Sequence, residues 1–340
     1  MLTGQLFAMF VLATGFSALL TLVWTRHART RRIEDQPGQR RLHSIPTPRG
    51  GGIAIALVLL AALAWISMNL AGSADFAGLA AGVGLFAALG LLDDLLPMPA
   101  LAKFALQLLA AGAMILIVSQ GWALGWLTLA CLIVAGGYVV NVWNFMDGSN
   151  GLITVQALLI ASALALWPEQ SLALRLFAVA LAGACLGFLP FNFPRARVFL
   201  GDVGSHALGA AVFGLLLLSW HGGAISLAQA LLMGTVLLLD SGYTLARRAL
   251  AGRKVWRAHR EHLYQYAVRR GNSHTRVCLS YGAATGFCIL LAAIGEQIRL
   301  GWLTWVLFIV SWLLGTVAYG GLRRHWLQVR PTGDRKHGER

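Results

Sequence analysis

Charged residues are scarce in this chain of 340 residues, since they make up 12% of the sequence while hydrophobic residues make up 58%. Because a soluble domain is typically about 25% charged, this balance argues against a soluble globular fold. Cysteine is scarce as well: Cys131, Cys185, Cys278 and Cys288 all fall inside apolar runs and form no CxxC pair. Neither a disulfide framework nor a zinc site is therefore indicated, and the composition is typical of a membrane protein.

Apolar runs long enough to cross a bilayer, about 17 to 25 residues each, recur from one end of the chain to the other. The eleven predicted spans cover residues 4–24, 51–70, 74–92, 103–119, 123–142, 151–167, 171–190, 203–220, 224–246, 277–295 and 301–321. The first run is too long for a removable signal peptide, and the arginines beside it follow it, so we expect it to remain as a span. The sequence thus predicts an all-α, polytopic integral membrane protein with about 11 transmembrane helices, in which residues 1–340 form a single transmembrane domain.

The basic residues fall almost entirely on one side of the predicted membrane. Of the 27 Lys and Arg residues, all but Arg175 and Arg299 lie in alternate connecting segments, which share one side. These segments are 25–50, 93–103, 143–150, 191–202, 247–276 and the tail 322–340. The positive-inside rule places them in the cytoplasm, with the amino terminus outside and the carboxyl terminus inside. The net charge of +14 is thus a topology signal, and no nucleic-acid partner is expected, because basic stripes with interleaved aromatics on a soluble fold are absent.

Acidic residues are few, 13 in all, and at membrane depth such groups are costly enough to be mostly functional. Four of them stand at predicted cytoplasmic ends: Asp93 and Asp94 end the third span, Asp147 follows the fifth and Asp202 precedes the eighth. Adjacent carboxylates repel each other unless a cation or a shared proton separates them. The Asp93–Asp94 pair therefore indicates a metal site or a proton acceptor, with an ordinary helix end as the alternative.

Amide side chains accompany these acids. In the segment NVWNFMDGSNG, Asn141, Asn144, Asp147 and Asn150 recur every three residues, which places them on one side of a helical turn. Their oxygens are of the kind that magnesium prefers. Asp202 in FLGDVGS precedes small residues at a helix start, where free backbone N–H groups can hold an anion. The sequence therefore predicts a site for magnesium and phosphate, against the alternative of polar loops and helix caps without a ligand.

The longest predicted cytoplasmic segment carries two histidines, His259 and His262, beside Arg260 in RAHREHLYQ. Neutral imidazoles at this spacing could bind a metal, whereas protonated ones could clamp a diphosphate together with arginine. A solvated basic loop is the plain alternative.

Two more charged residues and a glycine run leave alternatives open. Asp240, near the end of the ninth span, either orients the basic loop or pairs with Arg247 or Arg248. Lys103 opens the fourth span and either extends to the interface along its aliphatic stem or contacts a phosphate. The glycines of PTPRGGG favour close packing over a phosphate contact.

Together these motifs resemble one family. PTPRGGG, the Asp pair with a downstream Lys, NxxNxxDGxNG, FxGDxGS and a terminal HRxHLYQ occur in the order and topology of the polyprenyl-phosphate N-acetylhexosamine-1-phosphate transferases, over nearly the whole chain. The resemblance implies a catalytic domain in the bacterial inner (cytoplasmic) membrane, with its active site facing the cytoplasm. It implies transfer of an N-acetylhexosamine 1-phosphate from a UDP-sugar to undecaprenyl phosphate with Mg²⁺, or Mn²⁺ in its place, and release of UMP. A homodimer is compatible with the family.

The resemblance also implies residue roles, position by position. Catalytic roles fall to Asp93, Asp94, Asp147, His259 and His262, with the aspartate pair at the lipid phosphate and the histidines at the diphosphate. Substrate-binding roles fall to Lys103, Asn141, Asn150 and Arg260, and metal-binding roles to Asp202 and Asn144. Asn150 stands where many members have an aspartate, and HREHLYQ replaces a triple histidine. The second departure favours initiation of O-antigen or a related surface glycan over the peptidoglycan branch.

Two other functions share some of these features. A transporter or flippase would also be helical with acids in its spans, but coupling acids usually lie near the bilayer midplane at broken helices. A membrane prenyltransferase would need two Asp-rich motifs with acids repeated about one helical turn apart. Within the transferase interpretation, direct attack by the lipid phosphate is favoured over a covalent aspartyl intermediate, and the choice between Asp93 and Asp94 as base stays open.

Overall fold

The computed structural model describes residues 2–36, 45–70, 73–96, 98–257, 259–298 and 300–328. In these ranges the chain forms twelve α-helices and one two-stranded antiparallel sheet. The helices are α1 (Leu2–Arg31), α2 (Ile53–Asn69), α3 (Ser73–Leu95), α4 (Ala100–Val118), α5 (Trp126–Met146), α6 (Leu152–Ala165), α7 (Leu172–Asn192), α8 (Gly201–His221), α9 (Leu227–Leu250), α10 (Leu263–Arg269), α11 (His274–Ile298) and α12 (Gly301–Gln328). The strands are β1 (Glu34–Asp35) and β2 (Thr47–Pro48).

Each predicted span coincides with one helix of at least 14 residues, and α10 is the additional short helix, inside the basic segment. Among the described residues, eight helices are long and apolar enough to cross a membrane, namely α1, α3, α4, α5, α7, α8, α11 and α12. Apolar helices α2 and α6 are shorter, and polar residues such as Gln229 and Asp240 interrupt the apolar run of α9. The all-α, polytopic fold is confirmed, while eleven crossings and the orientation of the termini stay predictions.

Helix α8 lies at the centre of the bundle. It packs against α2, α3, α5, α6, α7 and α9, and 89% of its apolar stretch is buried. Glycines make this packing possible: a Cβ on Gly204 would overlap Gly52 at the start of α2, and a Cβ on Gly209 would meet Val140 of α5 at 2.9 Å. Small residues of this kind let helix backbones approach closely within a membrane. The first turn of α8, which carries Asp202, is therefore packed closely against the start of α2.

The PTPRGGG segment runs beside the loop that leads into α8. The N–H of Phe199 donates to the carbonyl oxygen of Pro48 at 2.7 Å, and the N–H groups of Gly51 and Gly52 donate to the carbonyl oxygens of Phe199 and Leu200 at 2.9 and 2.8 Å. A Cβ on Gly51 would also lie only 2.8 Å from Val198. The packing role predicted for these glycines is confirmed.

The opposite end of the bundle has its own polar contacts. The guanidinium group of Arg175 donates to the carbonyl oxygens of Trp167, Pro168 and Gln170 at 2.6, 2.7 and 3.0 Å, which closes the turn between α6 and α7. The amide of Gln170 donates to the hydroxyl of Ser219, near the end of α8, at 2.7 Å. Arg175, one of the two cations outside the basic segments, is therefore a structural residue.

Candidate active site

The ammonium group of Lys103 lies between two carboxylates. Its Nζ is 2.5 Å from Oδ2 of Asp93, 2.7 Å from Oδ2 of Asp202 and 3.4 Å from Oδ1 of Asn144. These four side chains come from α3, α4, α5 and α8, and that of Lys103 is 15% exposed. Lys103 thus turns toward the predicted site residues instead of extending to the interface.

Asp93 and Asp94 have different partners, although they are adjacent. Asp93 accepts a second hydrogen bond from the N–H of Met98 at 2.9 Å. The carboxylate of Asp94 accepts from the N–H of Val203 at 3.2 Å, in the first turn of α8, and its carbonyl oxygen accepts from Arg49. The two carboxylates therefore face different surroundings: one neutralises Lys103, and the other caps a helix start, where a negative charge is favourable.

Asp147 follows the end of α5 and faces the same region. Burial raises the pKa of its carboxyl group well above the ordinary value, and the charges of Asp202 and Asp94 raise it further. Asn192 holds the loop after it: the Asn192 carboxamide oxygen accepts from the N–H of Gly151 at 2.6 Å, and its amide donates to Val198 at 2.9 Å. The predicted acids thus meet at one end of the bundle, where a bound cation would relieve their mutual repulsion.

Two cavities meet at the Lys103–Asp202 ion pair. The polar cavity, of about 300 Å³, is lined by residues that include Arg49, Asp94, Asp147, Asn150 and Asp202. The larger cavity, of about 740 Å³, is lined on its polar side by Asp93, Lys103, Asn141, Asn144, His259 and His262, and on its apolar side by residues that include Leu101, Phe104 and Trp256. Because Asp202 lines one cavity and Lys103 the other, a ligand in each could reach this pair.

The segment between α9 and α10, which we call the basic loop, is organised by Glu261. Its carboxylate forms ion pairs with Arg247 and Arg248, and with Arg253 at 3.1 Å. Burial works to raise the pKa of Glu261, but the hydrogen bond from Arg247 and the arginine charges outweigh it and lower the pKa to about 2. The predicted alternative in which Asp240 pairs with Arg247 or Arg248 is therefore wrong, because Glu261 holds both arginines.

Asp240 orients the end of the loop, as the other alternative predicted. Its carboxylate accepts from the N–H groups of Leu263 and Tyr264 at 2.9 and 3.4 Å, and from the hydroxyl of Tyr281 at 2.6 Å. Nδ1 of His262 lies 3.5 Å from the same carboxylate. Asp240 thus satisfies free N–H groups in the first turn of α10 from a neighbouring helix.

The two histidines of the loop lie in different surroundings. Burial lowers the pKa of His259 to about 4, with further lowering by His262 and Arg248, so its ring is neutral at pH 7. His262 is 2% exposed and its ring centroid lies 6.0 Å from those of Phe145 and Tyr264. Arg260 lines neither cavity in the described structure. At neutral pH a substrate would therefore contact the neutral form of His259.

Three buried residues behind the site were missed by the sequence analysis. The amide of Gln107 lies 2.9 Å from Nε2 of His206, and Nδ1 of His206 lies 2.7 Å from the carbonyl oxygen of Asp202. The hydroxyl of Ser205 accepts from the amide of Asn144 at 3.1 Å. The available signal was spacing, since Gln107 and His206 each follow a site residue by one helical turn.

The donor set fits magnesium under one condition. In the described ranges, no group of three or more His, Cys, Asp or Glu side chains could hold a metal ion by itself. Magnesium, however, is usually bound through one or two carboxylates together with water and substrate phosphates. Oxygens of Asp202 and Asn144 already converge on one positive charge, the ammonium of Lys103. These residues therefore fit a magnesium ion that is held jointly with a phosphate ligand.

Comparison with known proteins identifies the family. Residues 76–220, which include most of the site, match the model of glycosyl transferase family 4. The chain is 30% identical over 292 residues to a decaprenyl-phosphate N-acetylglucosaminephosphotransferase of Mycolicibacterium smegmatis, which covers 72% of this chain and 70% of that one. It is 29% identical over 301 residues to a probable undecaprenyl-phosphate N-acetylglucosaminyl 1-phosphate transferase of Bacillus subtilis, with 82% and 81% covered. It is 31% identical over 285 residues to a phospho-N-acetylmuramoyl-pentapeptide-transferase of Geobacillus kaustophilus, with 74% and 84% covered. Because residues 76–220 match the family model and the first of these relatives is 30% identical over more than two thirds of both chains, this protein belongs to glycosyl transferase family 4, as its motifs indicated.

Proposed function

We propose that this protein transfers an N-acetylhexosamine 1-phosphate from a UDP-sugar to undecaprenyl phosphate, forming an undecaprenyl-diphospho-sugar and releasing UMP at the cytoplasmic face of the inner membrane. The observation that carries the proposal is the 2.7 Å ion pair between Lys103 and Asp202, whose two side chains line different cavities. One cavity suits a nucleotide diphosphate and the other the phosphate end of a lipid. Two anions that must react can thus meet at one cation.

The names of the relatives support the reaction type. Two of them are named as N-acetylglucosamine phosphate transferases acting on decaprenyl or undecaprenyl phosphate, and one is named for phospho-N-acetylmuramoyl-pentapeptide. The terminal HREHLYQ lacks the triple histidine of the last group, so we place the function nearer to the first. The product would then start O-antigen or a related surface glycan.

The larger cavity suits the lipid because its apolar wall continues to the surface of the bundle. Leu101 and Trp256 line this wall and are 63% and 51% exposed. A polyprenyl chain can follow such a wall into the bilayer, while its phosphate lies beside Lys103 and His259. The nucleotide diphosphate would lie in the polar cavity, near Arg49 and Asn150.

The reaction exchanges one P–O bond for another. An oxygen of the lipid phosphate attacks the phosphorus that bears the sugar, and the bond from that phosphorus to the bridging oxygen breaks. UMP leaves with the bonding electron pair, and no proton is gained or lost overall. Direct attack is favoured because a phosphate dianion is already a nucleophile, so positioning and charge neutralisation are the main tasks of the protein.

Each site residue can serve one of these tasks. Lys103 offers its ammonium group to the incoming phosphate, and Asp93 and Asp202 keep that group at the junction of the cavities. Asp202 and Asn144 would hold magnesium, which when bound neutralises charge on the donor diphosphate. Neutral His259 can donate a hydrogen bond without carrying a charge.

The test is UMP release by the purified protein in detergent. The reaction contains undecaprenyl phosphate and one of a panel of UDP-N-acetylhexosamines, with and without magnesium. The proposal expects UMP that requires both the lipid and the metal, and the active donor names the sugar. Folded protein that releases no UMP with any donor would contradict it, and uptake of labelled lipid-linked sugar by vesicles would then test a flippase.

A further inference from the structure

Gln107 and His206 link α4 to α8 one turn deeper than the Lys103–Asp202 ion pair. Nε2 of Gln107 lies 2.9 Å from Nε2 of His206, and Nζ of Lys103 lies 2.7 Å from Oδ2 of Asp202. On each helix the two residues are four positions apart, so the two links lie one helical turn apart and join the same faces of α4 and α8. Both α4 and α8 pack on α3 and α5, and long side chains span the space between them.

The partners fix the direction of each hydrogen bond. Nδ1 of His206 lies 2.7 Å from the carbonyl oxygen of Asp202, which can only accept, so Nδ1 carries the proton. The other ring nitrogen then accepts from the amide of Gln107. Both side chains are at 0% exposure, and within the described part of the chain Oε1 of Gln107 has no partner. The bond to His206 is therefore what orients this amide.

The same support extends to Asn144 through Ser205. The amide of Asn144 donates to the hydroxyl of Ser205 at 3.1 Å, and that hydroxyl donates to the carbonyl oxygen of Asp202 at 3.3 Å. Because its amide nitrogen is engaged, Asn144 turns its oxygen toward Lys103. Hydrogen bonds from behind thus hold both candidate magnesium ligands.

We propose that Gln107 and His206 are positioning residues for the transfer: together they set the separation and register of α4 and α8, so that Lys103, Asp202 and Asn144 meet at one point. This inference rests on the proposed function. Neither residue lines the two cavities, so both act through Asp202 and Lys103. Loss of such an outer partner typically costs about 10- to 100-fold in activity or metal affinity.

The test compares Gln107→Leu, His206→Phe and the double variant. Each single change leaves a buried polar group without its partner and lowers the melting temperature, whereas the double change removes both groups and restores much of it. The inference expects kcat for UMP release to fall about 10- to 100-fold in all three, with a smaller change in KM for the UDP-sugar. It also expects weaker binding of Mn²⁺ in the presence of UDP, whose phosphates complete the metal site, measured by electron paramagnetic resonance.

A matched control is Gln170→Leu, which removes another buried glutamine bond to α8, at the far end of that helix. It should lower the melting temperature while kcat and Mn²⁺ affinity stay at wild-type values. His206→Gln, whose amide can still reach Gln107, should keep part of the activity. A double variant with wild-type kcat, or an equal kcat loss in Gln170→Leu, would overturn the inference. Wild-type protein that binds Mn²⁺ but releases no UMP would contradict the proposed function instead.

Discussion

Tyr264 donates a hydrogen bond to the carbonyl oxygen of Phe145, 2.9 Å away. This bond ties the first turn of α10, at the end of the basic loop, to the last turn of α5, which carries Asn144. Tyr264 is 1% exposed, and its hydroxyl lies so close to Gly148 that a Cβ there would overlap it. The basic loop and the DGSNG loop are thus one packed unit.

We expect Gly148→Ala to lower UMP release about 10-fold, because the added methyl group displaces Tyr264 and overpacking typically costs about 1–3 kcal/mol. Tyr264→Phe introduces no clash and removes two hydrogen bonds of the hydroxyl, one to Phe145 and one from Gln265, worth about 0.5–1.5 kcal/mol each, and should lower activity less. The double variant lacks the clashing oxygen and should be more active than Gly148→Ala alone. Losses that simply add would show that the two loops are independent.

The Lys103 ammonium should be indispensable. In Lys103→Met, Asp93 and Asp202 lose the cation between them, and breaking a buried ion pair typically costs about 3–5 kcal/mol. We expect kcat/KM for UMP release to fall by about 100-fold or more, together with the melting temperature.

Adding Asp93→Asn to Lys103→Met separates stability from function. This second change removes the charge of Asp93, one of the two carboxylates left without a cation, so the melting temperature should recover while activity stays low. Lys254→Met, at an exposed position in the basic loop, is the matched control and should keep wild-type values. Recovered activity in the double variant would mean that Lys103 serves only the fold.

The span pattern and the positions of the acids were readable from the sequence because both depend on local composition. Each apolar run became a helix, and Asp93, Asp147 and Asp202 stand at helix ends that meet in space. Which groups face each other was not readable. Asp240 and Glu261 are both candidates to pair with Arg247 from the sequence alone. In the structure the start of α10 lies beside Asp240 of α9, so Asp240 accepts from backbone N–H groups of α10 and Glu261 pairs with the arginines.

The role of His206 was also not readable from the sequence. A histidine inside an apolar helix more often fills a core position than serves a site, and its value here comes from Gln107, 99 residues earlier in the chain. The i, i+4 spacing of Lys103 with Gln107 and of Asp202 with His206 becomes informative only when α4 and α8 are known to face each other.

Glu261 should keep the basic loop ordered above mildly acidic pH. Its pKa falls from 4.5 in a free side chain to about 2 in the protein, so its contribution is fully present above pH 4.5 and is lost as the pH falls from 4.5 toward 2. His259 affects the stability of the loop over a higher range of pH. With its pKa lowered from 6.5 to about 4, the unfolded loop gains a proton first as the pH falls below 6.5, and the ordered loop loses stability down to pH 4.

At pH 7, Glu261→Gln should therefore make the loop 251–262 more sensitive to trypsin, because Arg247, Arg248 and Arg253 lose their common partner. The cleavage rate measures the fraction of open loop, and we expect it to rise about 10-fold or more, because a hydrogen bond to a charged group is worth about 1.5–3 kcal/mol. Glu169→Gln, an exposed carboxylate between α6 and α7, is the control and should not change it. Equal cleavage of the Glu261→Gln and wild-type loops would show that Glu261 does not keep the loop ordered.

Asp202→Asn should abolish transfer while the protein stays folded. The amide keeps the shape of the side chain but loses the charge that pairs with Lys103 and would hold the metal, so UMP release should fall by about 1,000-fold or more. Binding of Mn²⁺ in the presence of UDP should be lost in parallel, whereas Asp75→Asn, an acid in the first turn of α3 at the other end of the bundle, should change neither. Lost transfer with intact Mn²⁺ binding would assign the metal to Asp147 or Asp94, which line the polar cavity together with Asp202. Full activity in Asp202→Asn would contradict the metal role and the proposed placement of the reaction at the Lys103–Asp202 pair.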